Sequence, residues 1–120
     1  MNIAAKILVV LIALQHFYIM HFEMFRWTTP KIRALFGTTE EFAQESKVLA
    51  ANQGLYNGFL AAGLTWSLFA PPELSSALAK YFVGCVMVAG IYGGITAKRK
   101  ILYVQGLPAA ITLLLLFLLP

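Results

Sequence analysis

The chain of 120 residues has room for one domain, and its composition differs from that of soluble proteins. Hydrophobic residues make up 60% of it and charged residues 12%, whereas about a quarter of an average soluble domain is charged. The net charge of +4 comes from basic residues in short stretches beside apolar runs, a pattern typical of membrane topology, so we expect no nucleic-acid partner.

Four apolar segments are each long enough to form a membrane-spanning helix, which needs roughly 20 mostly apolar residues. We therefore predict an all-α protein in which residues 1–120 form a single integral membrane domain, a transmembrane four-helix bundle. The predicted spans cover about residues 3–27, 44–69, 77–97 and 101–119. No small-residue cleavage site follows the first apolar run, so we expect that run to be a retained span and not a signal peptide.

Proline and glycine mark the first connection. Pro30 ends the first span and predicts a short interfacial helix that runs to Phe36 and is closed by Gly37. Thr38, followed three residues later by Glu41, predicts a capping box that starts the second helical segment.

Later breaks separate the remaining segments. Residues 70–72, Ala-Pro-Pro, cannot continue a helix and end the second span. Gly106 and Pro108 predict a kink in the fourth span. The single cysteine, Cys85, excludes an intramolecular disulfide and is interpreted as a packing residue.

The distribution of lysine and arginine predicts the orientation. The first and third connections hold Arg26, Lys31, Arg33, Lys47, Lys98, Arg99 and Lys100, whereas the amino end and the second connection hold Lys6 and Lys80. Basic residues are concentrated in cytoplasmic connections. We therefore expect a multi-pass protein of the bacterial cytoplasmic (inner) membrane with both termini outside.

Polar side chains are concentrated in the second span, at Asn52, Gln53, Tyr56 and Asn57. An unpaired amide in hydrocarbon costs on the order of 4–8 kcal/mol, so these groups must face protein, water or a ligand. The other spans also place polar residues in the predicted cytoplasmic half, where such groups usually face a bundle interior. We predict one polar pocket that binds a small molecule or a membrane lipid, lined by His16, Glu23, Trp27, Asn52, Gln53, Tyr56, Asn57, Tyr92, Thr96 and Gln105.

Three members of this predicted pocket are candidate catalytic residues. His16 and Glu23 lie seven residues apart on one stripe of the first span and have side chains suited to acid–base chemistry, and Tyr56 could donate a hydrogen bond. The pattern specifies no reaction, so whether the protein is an enzyme stays open. Two alternatives are a hydrogen-bond network that only fixes helix packing and an ion pair of Glu23 with Arg26.

A metal site is not expected. His16 and Glu23 are separated by roughly 10.5 Å of helical rise, whereas the ligands of one ion lie within about 2.0–2.2 Å of it. Nucleotide-binding and nucleophile motifs are also missing from the sequence, so we expect no cofactor.

Small residues repeat along two helix faces and predict close helix packing. Gly54, Gly58 and Ala62 form one face, and Gly90 and Gly94 form another. Such faces allow membrane helices to approach closely, so either of them is a candidate surface for a homo-oligomer.

The same residues carry a family resemblance over nearly the whole chain. They are Leu14-Gln15-His16 with Glu23-Met24 and Trp27, the run Asn52-Gln53-Gly54-Leu55-Tyr56-Asn57-Gly58-Phe59-Leu60-Ala61-Ala62-Gly63-Leu64, Ala89-Gly90-Ile91-Tyr92-Gly93 with Thr96, and Val104-Gln105-Gly106-Leu107-Pro108-Ala109. In these residues the chain resembles the small bacterial membrane proteins of the domain of unknown function 1304. The resemblance implies a four-span membrane protein and no particular activity.

Two other functions remain open. An oligomeric transporter or channel subunit predicts polar residues that continue into the outer half, where only Thr65, Ser67 and Thr112 lie. A structural or assembly protein predicts a polar network that serves packing alone. It also predicts that Asn52→Leu or His16→Phe leaves the fold and the cellular phenotype intact.

Overall fold

Every regular element in the computed structural model, which describes residues 1–119, is a helix. The helices are α1 (Ile3–Phe25), α2 (Pro30–Phe36), α3 (Glu40–Phe69), α4 (Pro72–Thr96) and α5 (Arg99–Leu118). Within α5, residues Leu102–Gly106 form a π-helical turn. The predicted all-α class is confirmed.

Three of these helices, α1, α4 and α5, are long and apolar enough to cross a membrane. Helix α3 is not among them, although it contains 30 residues. Its first two turns carry Glu40, Glu41, Glu45 and Lys47, and the amide side chains further along lower its hydropathy. The fourth span, and with it the four-helix bundle, therefore stays a prediction.

The short helix expected after Pro30 is present as α2. Proline occupies its first position, where the missing N–H is not needed, and Gly37 ends it with a φ of 71°. The cap of the next helix differs from the prediction. Thr39, not Thr38, lies before the first turn of α3, and its Oγ1 accepts a 3.1 Å hydrogen bond from the N–H of Phe42.

The chain packs as two compact units, which are described separately. The terminal unit contains Met1–Leu14 and the described residues from Leu60 onward, and the central unit contains Gln15–Phe59. Helices α1 and α3 contribute residues to both units.

The terminal unit has an apolar core of small and branched side chains from all of its helices. Its buried members are Ala5, Val9, Ile12, Ala13, Leu64, Ala79, Val83, Val86, Ala109 and Leu116. Helices α4 and α5 come into backbone contact at Gly90, where a Cβ would lie 2.5 Å from the nitrogen of Gly106. Gly94 packs in the same way against Leu102, so this glycine face is occupied within one chain.

A π-helical turn lies just before Pro108, close to the kink that Gly106 and Pro108 predict, and the kink itself stays a prediction. Pro108 has no N–H and cannot make the hydrogen bond that a regular α-helix requires at its position. The N–H of Leu107 instead bonds to the carbonyl of Leu102, five residues earlier.

The central unit joins the end of α1 to the first half of α3. Gly54 and Gly58 are buried against α1, and a Cβ at Gly58 would lie 2.6 Å from the Sδ of Met20. The first small-residue face thus also packs inside the chain at these two positions, while Ala62, in the other unit, is exposed. The predicted oligomer stays a prediction.

Candidate functional site

The site is organised around a buried carboxylate in the central unit. Glu23 lies near the end of α1 and is only 2% exposed. Helix α3 can approach it because Gly54 has no side chain: a Cβ there would lie 3.0 Å from the Cβ of Glu23 and 2.8 Å from the Cγ of Met24. The carboxylate therefore faces α3 across a close helix contact.

Two amides of α3 hold this carboxylate. The Nε2 of Gln53 donates a 2.7 Å hydrogen bond to Oε2 of Glu23, and the Nδ2 of Asn57 donates a 2.6 Å bond to Oε1. Both are shorter than the usual 2.9–3.0 Å and fall at or just below the lower end of the range for hydrogen bonds to ionised groups. We call Glu23, Gln53 and Asn57 the Glu23 cluster.

Helical spacing explains why both amides reach one carboxylate. Gln53 and Asn57 are four residues apart, so their side chains lie on the same face of α3, one helical turn from each other. The Nδ2 of Asn57 also donates a 3.3 Å hydrogen bond to the backbone carbonyl of Gln53, which holds the Asn57 side chain against its own helix.

The cluster is accessible on its amide side. Gln53 is exposed and Asn57 is half-buried, whereas Glu23 is enclosed. An ionised carboxylate offers about four lone-pair positions, and the two amides use two of them. Since both amides direct N–H groups at Glu23, their carbonyl oxygens remain as further acceptors, and the cluster is rich in acceptors.

His16 shares the buried stripe of α1 with Glu23. It is fully enclosed, at 0% exposure, and lies two turns earlier on the same helix. Arg26, the alternative ion-pair partner of Glu23, is exposed, and both carboxylate oxygens are bonded to amides instead.

Three other predicted pocket residues of the central unit make contacts of their own. Asn52 is exposed and donates a 2.9 Å bond to the carbonyl of Val48 on its own helix. Tyr56 is 64% exposed and packs edge-on against Phe59. Trp27 donates a 3.0 Å bond to the hydroxyl of Ser46.

The Trp27 contact was not anticipated from the sequence. Its ring lies 5.2 Å from that of Phe36, so this residue links the end of α1 to both α2 and α3. No local pattern distinguishes Ser46 as a partner, because its role depends on where the turn after α1, 19 residues away, places the indole N–H of Trp27.

The last three predicted pocket residues belong to the terminal unit. Tyr92 is 68% exposed, and Thr96 donates a 2.7 Å bond to the carbonyl of Tyr92 on its own helix. Gln105 is half-buried in the π-helical turn. A single pocket that joins all ten residues stays a prediction.

Metal-ligating side chains do not cluster within residues 1–119. In that range no three His, Cys, Asp or Glu side chains come close enough together to hold one ion. The Glu23 cluster itself consists of a carboxylate and two amides, which can form hydrogen bonds, pair with a charge and exchange a proton.

Comparison with known proteins gives the family. The profile of a family described as protein of unknown function, DUF1304, matches residues 10–117. An uncharacterised protein, YpaA of Lactococcus lactis subsp. lactis strain IL1403, is 33% identical over 108 residues, which are 88% of this chain and 90% of that protein. No solved structure matches the chain significantly. The resemblance noted in the sequence is thereby confirmed, and the chain belongs to the DUF1304 family of proteins of unknown function.

Proposed function

We propose that this protein is a multi-pass protein of the cytoplasmic membrane that binds a lipid or a small amphiphile at the Glu23 cluster. One observation carries the proposal: a carboxylate only 2% exposed, on a helix apolar enough to cross a membrane, is held by two amides of another helix. Ionisable groups at such positions are costly and usually serve function.

The proposal includes α3 as a fourth span. At 30 residues, α3 is roughly 45 Å long, more than the hydrocarbon thickness of about 30 Å. Two of its four amide side chains, Gln53 and Asn57, bond to Glu23, which lowers the cost of placing them in lipid. The first and third connections then face the cytoplasm, as the basic residues predict.

The chemistry of the cluster favours a ligand that donates hydrogen bonds. Glu23 retains unused lone pairs, and the amide oxygens of Gln53 and Asn57 add acceptors beside it. An amine or hydroxyl group on the ligand would complete these bonds, and the positive charge of a protonated amine would also offset the negative charge of the carboxylate. The accessible side of Gln53 provides the approach. We propose binding only, and the acid–base role of His16, Glu23 and Tyr56 stays a prediction.

The main rival is a network that serves packing alone. The close contact of Gly54 with Glu23 favours it, because the same hydrogen bonds would hold α1 against α3 without any ligand. Interhelical hydrogen bonds of this kind contribute about 0.6–2 kcal/mol each. An oligomeric transporter or channel subunit stays a prediction.

Mass spectrometry of small molecules that copurify in mild detergent tests the proposal. Wild type is compared with Glu23→Gln, which keeps the side-chain shape but removes the charge, and with Asn57→Leu. The matched control is Asn52→Leu, which removes an amide from the same helix that bonds only to its own backbone.

Binding predicts an amine- or hydroxyl-bearing compound that is retained by wild type and Asn52→Leu and lost from both cluster variants. Circular dichroism and size exclusion verify that each variant is folded. If folded wild type carries the same compounds as folded Glu23→Gln and Asn57→Leu, the cluster serves packing and the proposal is wrong.

A further inference from the structure

We propose that a shallow groove along α4 binds one acyl chain of an anionic phospholipid whose phosphate pairs with Lys80. The groove lies in the terminal unit and uses none of the residues of the Glu23 cluster. This proposal rests on the proposed membrane location of the protein but is independent of the ligand proposed for the Glu23 cluster. Its features are a gap in the helix surface, a length that fits one leaflet, and a cation at one end.

The gap is created by Gly84. The groove of about 720 Å³ is lined by residues of α4 between Lys80 and Tyr92, among them Gly84, Cys85 and Val88. A Cβ built on Gly84 would meet no atom within 4 Å, so the groove is open at this point. Most of the lining is apolar, which suits a hydrocarbon chain.

The groove has the length of a lipid chain in one leaflet. Lys80 and Tyr92 are twelve residues apart, which corresponds to roughly 18 Å along the helix. One leaflet contributes about half of a hydrocarbon core that is about 30 Å thick. A chain whose headgroup lies at Lys80 would therefore follow the groove to about the centre of the bilayer.

Lys80 is held where a headgroup would lie. Its Nζ is 4.5 Å from the centroid of the Phe117 ring, and Phe117 is one residue before the end of α5 at Leu118. The ammonium thus lies level with the end of a helix that is apolar enough to cross a membrane. A lysine near a helix end can extend its ammonium into the interface, where phosphate is a natural counterion.

The positive charge of Lys80 favours a lipid over a second protein chain as the occupant of the groove. A second apolar helix on the groove would enclose Lys80, and burying an ammonium without a charged partner is strongly unfavourable. A phospholipid covers the apolar surface with its chain and neutralises the ammonium with its phosphate. An anionic headgroup adds attraction that a zwitterionic one lacks.

The test measures which lipids the protein retains. Protein reconstituted in vesicles of equal parts phosphatidylglycerol and phosphatidylcholine is extracted in mild detergent, and bound lipids are counted by native mass spectrometry. Lys80→Gln removes the cation and Gly84→Leu fills the gap. Lys6→Gln and Ala77→Leu are the matched controls, because both residues are exposed in the same unit and lie outside the groove.

We expect wild type and both controls to retain phosphatidylglycerol in preference to phosphatidylcholine. Lys80→Gln should lower this preference about fivefold, the effect of one lysine near a charged headgroup. Gly84→Leu should lower the retention of both lipids. The proposal is overturned if Lys80→Gln keeps the preference or if Gly84→Leu keeps its lipid. It is also overturned if wild type is a dimer that Gly84→Leu makes monomeric.

The two proposals fail separately. Both sites are supported if Glu23→Gln loses the copurified compound but keeps the phosphatidylglycerol preference, while Lys80→Gln loses that preference but keeps the compound. An effect of Lys80→Gln without any effect of Glu23→Gln supports the groove and contradicts ligand binding at the Glu23 cluster.

Discussion

Asn57 donates a 2.6 Å hydrogen bond to the carboxylate of Glu23, which lies 34 residues earlier in the chain. The bond joins α3 to α1 where Gly54 and Gly58 bring the two helices close together. Glycine packing and polar bonding thus occur on adjacent strips of one helix. The contact that encloses the carboxylate also supplies the amides that satisfy it.

Replacing Asn57 should therefore destabilise the protein more than replacing Asn52. Asn57→Leu removes a hydrogen bond to a buried carboxylate, at a cost of about 1.5–3 kcal/mol. Asn52→Leu removes an exposed amide that bonds within its own helix and should change the stability by less than about 0.5 kcal/mol. Reversible unfolding in mixed micelles, followed by circular dichroism, measures both. Equal losses would contradict the assignment of Asn57 to the cluster.

Adding a methyl group at Gly54 should weaken the contact of α1 with α3. The Cβ of Gly54→Ala would lie 2.8 Å from Met24 and 3.1 Å from the backbone oxygen of Met20, and overpacking of this kind costs about 1–3 kcal/mol. Gly84→Ala is the control, because open space surrounds it, and it should change the stability by at most about 0.5 kcal/mol. The same unfolding measurement applies. If Gly54→Ala is as stable as wild type, α1 and α3 can move apart without loss of stability, which contradicts this prediction.

Gly90→Ala should lower the stability of the protein more than Gly58→Ala does, although both new Cβ atoms meet a neighbour at about the same distance. At Gly90 the neighbour is the backbone of Gly106, 2.5 Å away, which cannot move without shifting α5. At Gly58 it is the flexible end of Met20, which can change rotamer. We expect Gly90→Ala to cost at least about 3 kcal/mol and Gly58→Ala clearly less. The reverse order in unfolding experiments would argue against the α4–α5 packing.

Cysteine labelling in intact cells decides whether α3 crosses the membrane. In a Cys85→Ala background, single changes Ala34→Cys, Glu73→Cys and Ala97→Cys place thiols at exposed positions in α2, the first turn of α4 and the connection after α4. With four spans, a membrane-impermeant thiol reagent should label only the Glu73→Cys protein, and the other two should react only after permeabilisation. If Ala34→Cys and Glu73→Cys label from the same side, α3 does not span.

Much of the local structure could be predicted from the sequence. Pro30 and Gly37 bound the short helix α2 as expected, because proline and glycine act through their own backbone conformations. The sequence predicts Thr38 as the cap of α3, whereas the structure uses Thr39. The two adjacent threonines offer the same hydroxyl, so the sequence does not distinguish them. Which of them faces the first turn depends on how the chain leaves Gly37.

The partners of the polar groups could be predicted only in part. The free-energy cost of a polar side chain in lipid predicts that Glu23, Gln53 and Asn57 face a common site. The structure brings these three side chains together. The amide of Asn52 would cost as much to place in lipid and lies beside Gln53 in the sequence. It nevertheless bonds to the carbonyl of Val48 on its own helix. A difference of one residue rotates a side chain by about 100° around a helix, so the orientation of α3 against α1 decides which amide reaches the carboxylate.

The sequence by itself determined the all-α class, the helix breaks at Pro30, Gly37 and residues 70–72, the apolar character of three helices and the family, because these follow from neighbouring residues and overall composition. Only the tertiary structure decided that Glu23 bonds to Gln53 and Asn57, that Trp27 bonds to Ser46, and that the glycines of α3 and α4 pack inside one chain. Each of these contacts depends on the rotation and axial position of one helix relative to another. Those two quantities are set by the packing of the helix surfaces and not by any local pattern of residues.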